Sequence, residues 1–175
     1  KKQHRIVPSS TFRATEMAVY IHTTEAVSKV SAPRLFKAMT VHRNETLKKL
    51  KPDVFKGEEI IEGDGGAGTV VKVYFVEGQP FESMVARIDE LDLEKLHVKS
   101  TIIEGGILQD NLEKIEHVGD YEAVGNECKA KVTASFYPKP GCSVNEELAK
   151  ISEEKAKELL PLVEEYLLAN PDLYA

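Results

Sequence analysis

Residues 61–75 read IEGDGGAGTVVKVYF, and the segment after the glycines decides the fold class. Gly63, Gly65 and Gly68 have the spacing of a dinucleotide-binding turn. In that turn a helix starts directly after the last glycine, and its N-terminus holds the pyrophosphate. Here Thr69 to Phe75 comes next, β-branched and alternating, which is strand chemistry. A phosphate loop of the Walker type also fails, because no lysine stands between the last glycine and Thr69. Glu62, Gly63, Asp64, Gly65, Gly66 and Gly68 therefore read as a glycine-rich turn joining two strands, whose N–H groups would cradle an anion only weakly.

The same grammar extends in both directions. Phe55 to Glu62 is the strand before the loop. After Glu77-Gly78-Gln79-Pro80, short strands are predicted over Phe81–Asp89, Lys95–Ile103, Asn111–Gly119 and Lys129–Tyr137, with a hairpin turn at Glu104-Gly105-Gly106. Val19 to Val27 makes a seventh. Even spacing and tight turns predict one antiparallel meander. Between the first and second strands, Ser31-Ala32-Pro33 opens a helix whose stripe is Leu35, Phe36 and Met39. A second short helix runs from about Asn44 to Leu50 and stops before Pro52. Pro138, Pro140 and Gly141 end the sheet. Ser143 and Glu146 then fit a capping box that starts a long helix, about Asn145 to Ala169, with Pro161 expected to kink it. The order is one strand, two short helices, a meander and a long helix: an α+β chain.

Composition narrows the function. The 175 residues are 42% hydrophobic and 30% charged, enough for a real core. A net charge of −6 argues against a nucleic-acid partner, which needs surplus Lys and Arg. No apolar run approaches the roughly 20 residues of a membrane span, and no signal peptide is read. Cys128 and Cys142 are too few for a disulfide scaffold and read as free thiols in a reducing compartment, the cytosol. No metal-ligand spacing stands out, so neither metal nor cofactor is expected. Residues 1–16 carry neither structural period. Met17 reads as a natural start, with residues 1–16 a separate arm and residues 17–175 a single domain.

With its elements in this order, the chain resembles a known family. Ile61-Glu-Gly-Asp-Gly-Gly-Ala-Gly-Thr69 before a strand is similar to the glycine-rich loop of the class 10 pathogenesis-related plant proteins, the birch-pollen-allergen (Bet v 1) family. Ala32-Pro-Arg-Leu-Phe-Lys-Ala38 resembles that family's first helix. Ile103-Glu-Gly-Gly106 and Val163-Glu-Glu-Tyr-Leu-Leu-Ala169 resemble its hairpin and last helix. Phe136-Tyr-Pro-Lys-Pro-Gly-Cys142 and Asn145-Glu-Glu147 are similar to a St John's wort branch once described as phenolic oxidative coupling proteins. The resemblance implies a seven-stranded antiparallel sheet wrapped around the long last helix, two short helices in a V, and a large cavity. That cavity would take apolar plant metabolites or hormones: flavonoid, cytokinin, indole or alkaloid-like molecules.

Strand alternation proposes which side chains line such a cavity. The predicted inward faces are Val73 and Phe75; Phe81, Ser83 and Val85; Val98, Ser100 and Ile102 with Leu96; Ile115 and His117; and Val132, Ala134 and Phe136. Met39, Leu47, Phe55, Ile151, Lys155 and Leu159 are expected to join them from the helices and the strand after them. By residue pattern alone this set reads first as a packed core; the resemblance reverses that in favour of a lining. Lys155 sits one turn from Ile151 and Leu159, and either enters the cavity or snorkels to the surface. His117 either meets a ligand or is satisfied by the protein.

The resemblance leaves three readings of activity. First is a defence-related binding, storage or carrier protein, a monomer or weak dimer with no membrane partner. Second is an enzyme of specialised metabolism catalysing condensation, cyclisation or isomerisation, with Lys155 or His117 as base. Third is a hormone sensor of the abscisic-acid type that inhibits a phosphatase. Family enzymes that condense alkaloid precursors place Tyr, Glu and Lys in the cavity, whereas Phe81, Ser83 and Val98 stand near those positions here and move no proton. Oxidative coupling would need a redox group. Ribonuclease chemistry would need a basic groove, and Glu62 and Tyr137 are assigned structural roles instead. No catalytic set is assigned.

Overall fold

Turn chemistry places the elements nearly where alternation does. The structure, a computed structural model, describes residues 18–175, so the arm assigned to residues 1–16 lies outside the described residues. The order is β1 Tyr20–Ser28, α1 Ala32–Met39, α2 Arg43–Leu50, β2 Phe55–Glu62, β3 Val70–Phe75, β4 Ser83–Asp92, β5 His97–Gly105, a 3-10 turn at Gly106–Leu108, β6 Leu112–Val124, β7 Glu127–Pro138 and α3 Glu146–Ala169. The strands form one antiparallel sheet in the order β1-β7-β6-β5-β4-β3-β2. Every neighbour beyond the β1–β7 pair is reached by a hairpin, and α1 and α2 carry the chain from one sheet edge to the other.

Local signals explain the helix ends. Ser31 precedes α1 with Pro33 in its first turn, but its hydroxyl makes no cap bond. Asn145 rather than Ser143 caps α3, its Oδ1 accepting from the N–H of Glu147 at 3.1 Å and Leu148 at 3.2 Å. The helix runs through Pro161. At its far end Arg34 of α1 donates to the carbonyls of Leu167 at 3.0 Å, Asn170 at 2.7 Å and Leu173 at 3.0 Å. A cation there answers the unpaired carbonyls and the negative helix end. Tyr174 stacks on His42 with centroids 4.2 Å apart, tying the last residues to the α1–α2 corner.

The glycine loop is held by its own side chains and by β4. Gly65 N–H donates to Thr69 Oγ1 at 2.9 Å, Gly66 N–H to Asp64 Oδ1 at 3.0 Å, and Gly68 N–H to the Ile88 carbonyl at 2.6 Å. Gly63 has φ +96, and a Cβ there would lie 2.7 Å from Thr69 Cα, so only glycine fits. These internal bonds leave three of the loop's N–H groups unavailable to an anion. No helix of the described residues is long and apolar enough to cross a membrane.

Candidate functional site

Register decides which side chains share a face, because directly paired residues in an antiparallel ladder point the same way. Val71 and Val73 of β3 are buried, and they pair with Ala86 and Met84 of β4. Met84 and Ala86 therefore stand on the concave face. Ser83 pairs with Tyr74 and Val85 with Lys72, which turns both outward, contrary to the expected inward placement. Phe81 precedes the strand and joins none of the buried clusters. The expected phase was anchored on Phe81, which lies before β4, whereas within the strand the even positions Met84, Ala86 and Ile88 pair with inward residues of β3 and β5.

Three packed clusters rim the concave face. One gathers Leu35, Phe36, Tyr121, Cys128, Val163 and Leu167, with Met39, Leu96, Val98 and Leu159 at its margin. A second holds Ile102, Leu108, Leu112, Ile115, Ala134, Phe136 and Ala149. The third is Phe55, Val71 and Val73, with Leu47 and Phe75 against it. Phe55, Val73, Ile102, Ile115, Ala134 and Phe136 are thus rim and floor, closely packed. Where the second cluster meets the start of α3, the remaining crevice is about 10 Å³, no larger than one water.

Between the clusters the face stays open. One cross-sheet row runs His22, Ala134, His117, Ser100, Ile88 in direct register. The next runs Thr24, Val132, Gly119, Val98, Leu91. Ile88, Ser100, His117, Val132 and Thr24 all keep accessible surface although they point to the inside of the curve. A solid interior would leave none at these positions.

Two imidazoles dominate the first row. His22 is wedged against Phe136 and Tyr20, with centroid separations of 5.7 Å and 6.1 Å. Both its ring nitrogens are buried without a hydrogen-bond partner among the described residues. Glu153 Oε2 of α3 stands 3.9 Å from His22 Nδ1, itself paired with Lys157 Nζ at 2.9 Å. Burial, with His22 and Arg43 nearby, pushes the His117 imidazole down to about 4. His117 is therefore neutral at neutral pH and presents one donor and one acceptor.

α3 meets this face differently from expectation. Ala149, Val163 and Leu167 are its buried side. Ile151 is 45% exposed, and Lys155 is exposed as well. Both lie far round the helix from Ala149, so neither reaches the interior. A depression of about 510 Å³ is bounded by Glu147, Lys150, Ile151, Glu154, Lys155 and Glu158, all on α3. One convex helix face encloses nothing, so this is open surface. The lining residues that alternation did not supply are Tyr20, His22, Thr24, Met84, Ala86 and Ile88. For β1 the phase was hidden by apolar Ile21 and Val27, which point outward and are 61% and 68% exposed.

Comparison with known proteins agrees with this architecture. Residues 17–170 match the family described as "Pathogenesis-related protein Bet v 1 family". The major strawberry allergen Fra a 1.04 of Fragaria ananassa is 38% identical over 159 residues, covering 90% of this chain and 99% of the relative. The crystal structure of Ara h 8.0201 superposes with a TM-score of 0.77 at 31% identity, covering 87% of this chain and 99% of that one. Norcoclaurine synthase from Thalictrum flavum, in complex with dopamine and hydroxybenzaldehyde, superposes with a TM-score of 0.68 at 21% identity over 97% and 98% of the two chains, a likeness of fold.

Proposed function

The chain belongs to the pathogenesis-related protein Bet v 1 family, and from that premise we propose that it is a defence-related carrier or store for small apolar plant metabolites or hormones. The ligand lies on the concave face between the three clusters. The observation that carries this reading is the row through Ser100 and His117, inward-facing yet still accessible. Binding is driven by burial of ligand apolar surface, roughly 25 cal/mol per Å² before ordering terms are subtracted. The free thiols of Cys128 and Cys142 support a reducing, cytoplasmic location.

Native mass spectrometry after incubation with a plant-metabolite extract tests the reading. The expected result is at least one retained small molecule, released unchanged. No retained molecule, together with no fluorescence gain from an apolar dye, overturns it. Release of a chemically altered molecule would favour an enzyme instead.

A further inference from the structure

The two outermost strands of the sheet are built differently. β2, at one end, carries Lys56, Glu58, Glu59 and Glu62, contains Gly57, and meets β3 through two register shifts. Charges and bulges of that kind keep an exposed sheet edge from pairing with another chain. β1, at the other end, lacks these guards. Tyr20–Ser28 contains no glycine, proline or lysine, and Glu25 is its one acidic residue. All nine of its residues pair with β7 without a shift. The strand therefore presents a straight outer row of backbone N–H and C=O groups that no strand of the described residues pairs. α3 approaches β1 from the concave side, where Glu153 stands by His22. Its Glu164 takes the N–H of Lys29, one residue past the strand, and so marks where that row stops.

The exposed side chains of β1 are arranged about its middle residue. Ile21, Thr23, Glu25 and Val27 lie on the convex face and are all exposed. The two apolar ones stand three positions either side of Thr24. Lay a second β1 antiparallel along the first with Thr24 opposite Thr24, and Ile21 falls against the partner's Val27. The two-fold axis makes this contact twice. Thr23 then meets the partner's Glu25, and no like charges are directly opposed. Each Glu25 keeps Lys131 of β7 as its direct neighbour in its own sheet. A slip of two residues one way sets Ile21 against Glu25, and the other way sets Glu25 against Glu25. A slip of one turns the convex face of one copy to the concave side of the other. This self-match identifies the occupant of the edge as a second copy of the chain.

We propose that β1 is a self-association edge: two copies pair β1 to β1, antiparallel about Thr24, and their seven-stranded sheets join into one of fourteen strands. The axis stands perpendicular to the joined sheet, so both concave faces open on the same side. One strand per copy, about 30 Å long, offers less than the roughly 800 Å² per partner of a permanent dimer. The association is therefore reversible and concentration-dependent. It uses the backbone and convex row of β1 and is independent of the carrier reading.

Sedimentation velocity on the full chain, from micromolar to millimolar concentration, tests this. A monomer–dimer equilibrium is expected. Ile21→Lys and Val27→Glu are each expected to weaken it roughly tenfold, because each change spoils two cross-strand pairs. The chain carrying both changes is expected to return to within about threefold of the parent, because lysine then faces glutamate in both pairs. Both positions are exposed, so thermal melts of the variants are expected to match the parent. Amide exchange gives a reading that needs no variant: the outward N–H groups of β1 are expected to slow as concentration rises. A chain that stays monomeric at millimolar concentration overturns the inference. So does a dimer indifferent to both single changes, or one that the double change fails to recover. Outward β1 amides already protected in the monomer would show the edge covered by the chain itself, which also overturns it. No cavity ligand enters these measurements, so failure here leaves the carrier reading standing.

Discussion

Ser100 and Thr101 are neighbours on β5 and inhabit opposite sides of one sheet. On the convex side, Thr101 is buried and donates to Asp89 Oδ2, while Arg87 Nε reaches Asp89 Oδ1 at 2.6 Å. Tyr137 donates to Glu116 at 3.0 Å, Lys114 joins Glu116 at 2.8 Å, and Thr23 meets Thr133 at 3.0 Å. His97 lies between Asp120 and Glu90, at 2.6 Å and 2.9 Å. On the concave side, His22 has no partner among the described residues. The convex face spends its polar groups on one another, whereas the concave face keeps them unmatched. Strength is lodged in the outer network and the rim clusters, and the row that neither uses is the part of the wall the proposed ligand would meet.

The hardest blow to that division is Phe136→Ala. Phe136 is buried in the second cluster and braces His22, so its loss is expected to lower unfolding free energy by about 3–5 kcal/mol in denaturant titration. A loss under about 1 kcal/mol would show that the rim is loosely packed.

Acid probes the inside next. His117 falls from 6.5 to about 4 on folding, so the folded state binds the proton less readily than the unfolded one. The stabilisation is complete above pH 6.5 and is lost as pH falls toward about 4, on the order of 3 kcal/mol in all. Unfolding midpoints measured across that window are expected to flatten in His117→Phe; an unchanged slope would place the titrating group elsewhere.

Thr101→Val against Ser100→Ala sharpens the contrast at single-residue scale. The first deprives Asp89 of a donor and is expected to cost about 1–2 kcal/mol; the second is expected within about 0.5 kcal/mol of the parent. Equal costs in denaturant titration would mean that the two faces are not distinguished.

A smaller effect than that of Thr101→Val is expected of His97→Ala. The Asp120 bond, opposed by desolvation and aided by Glu90, raises the His97 imidazole above its ordinary 6.5. Its contribution is therefore full below pH 6.5 and fades as pH rises through the elevated value. The pair is solvent-exposed, so the expected loss is under about 1 kcal/mol, confined to the acid side and weaker in salt. Parallel melts at two salt concentrations check it.

Much of the fold was legible in the sequence. Glycine and proline punctuation marked all seven strands and three helices, because such residues act locally and leave the chain few choices. The inward faces of β5 and β7, and of β6 from Ile115 on, followed from uninterrupted alternation. β4 did not, because large apolar Phe81 suggested the odd positions as the inner face, yet it precedes the strand, and the inner face is Met84, Ala86 and Ile88. On α3, Ile151 and Leu159 suggested a stripe that included Lys155. The true inner side carries small Ala149, and a side chain's size does not announce which way a helix turns. His22 escaped because β1 puts polar residues inside and Ile21 outside, the reverse of the ordinary rule.

The guanidinium of Arg34 has one more implication. It gathers carbonyls from Leu167, Asn170 and Leu173, and the chain beyond it is pinned again where Tyr174 lies on His42. What a trimming exercise would discard as a ragged tail is thus the knot that fastens the longest helix to its frame. Deleting residues 170–175 would untie it, and a label inserted among them would pull on the same knot.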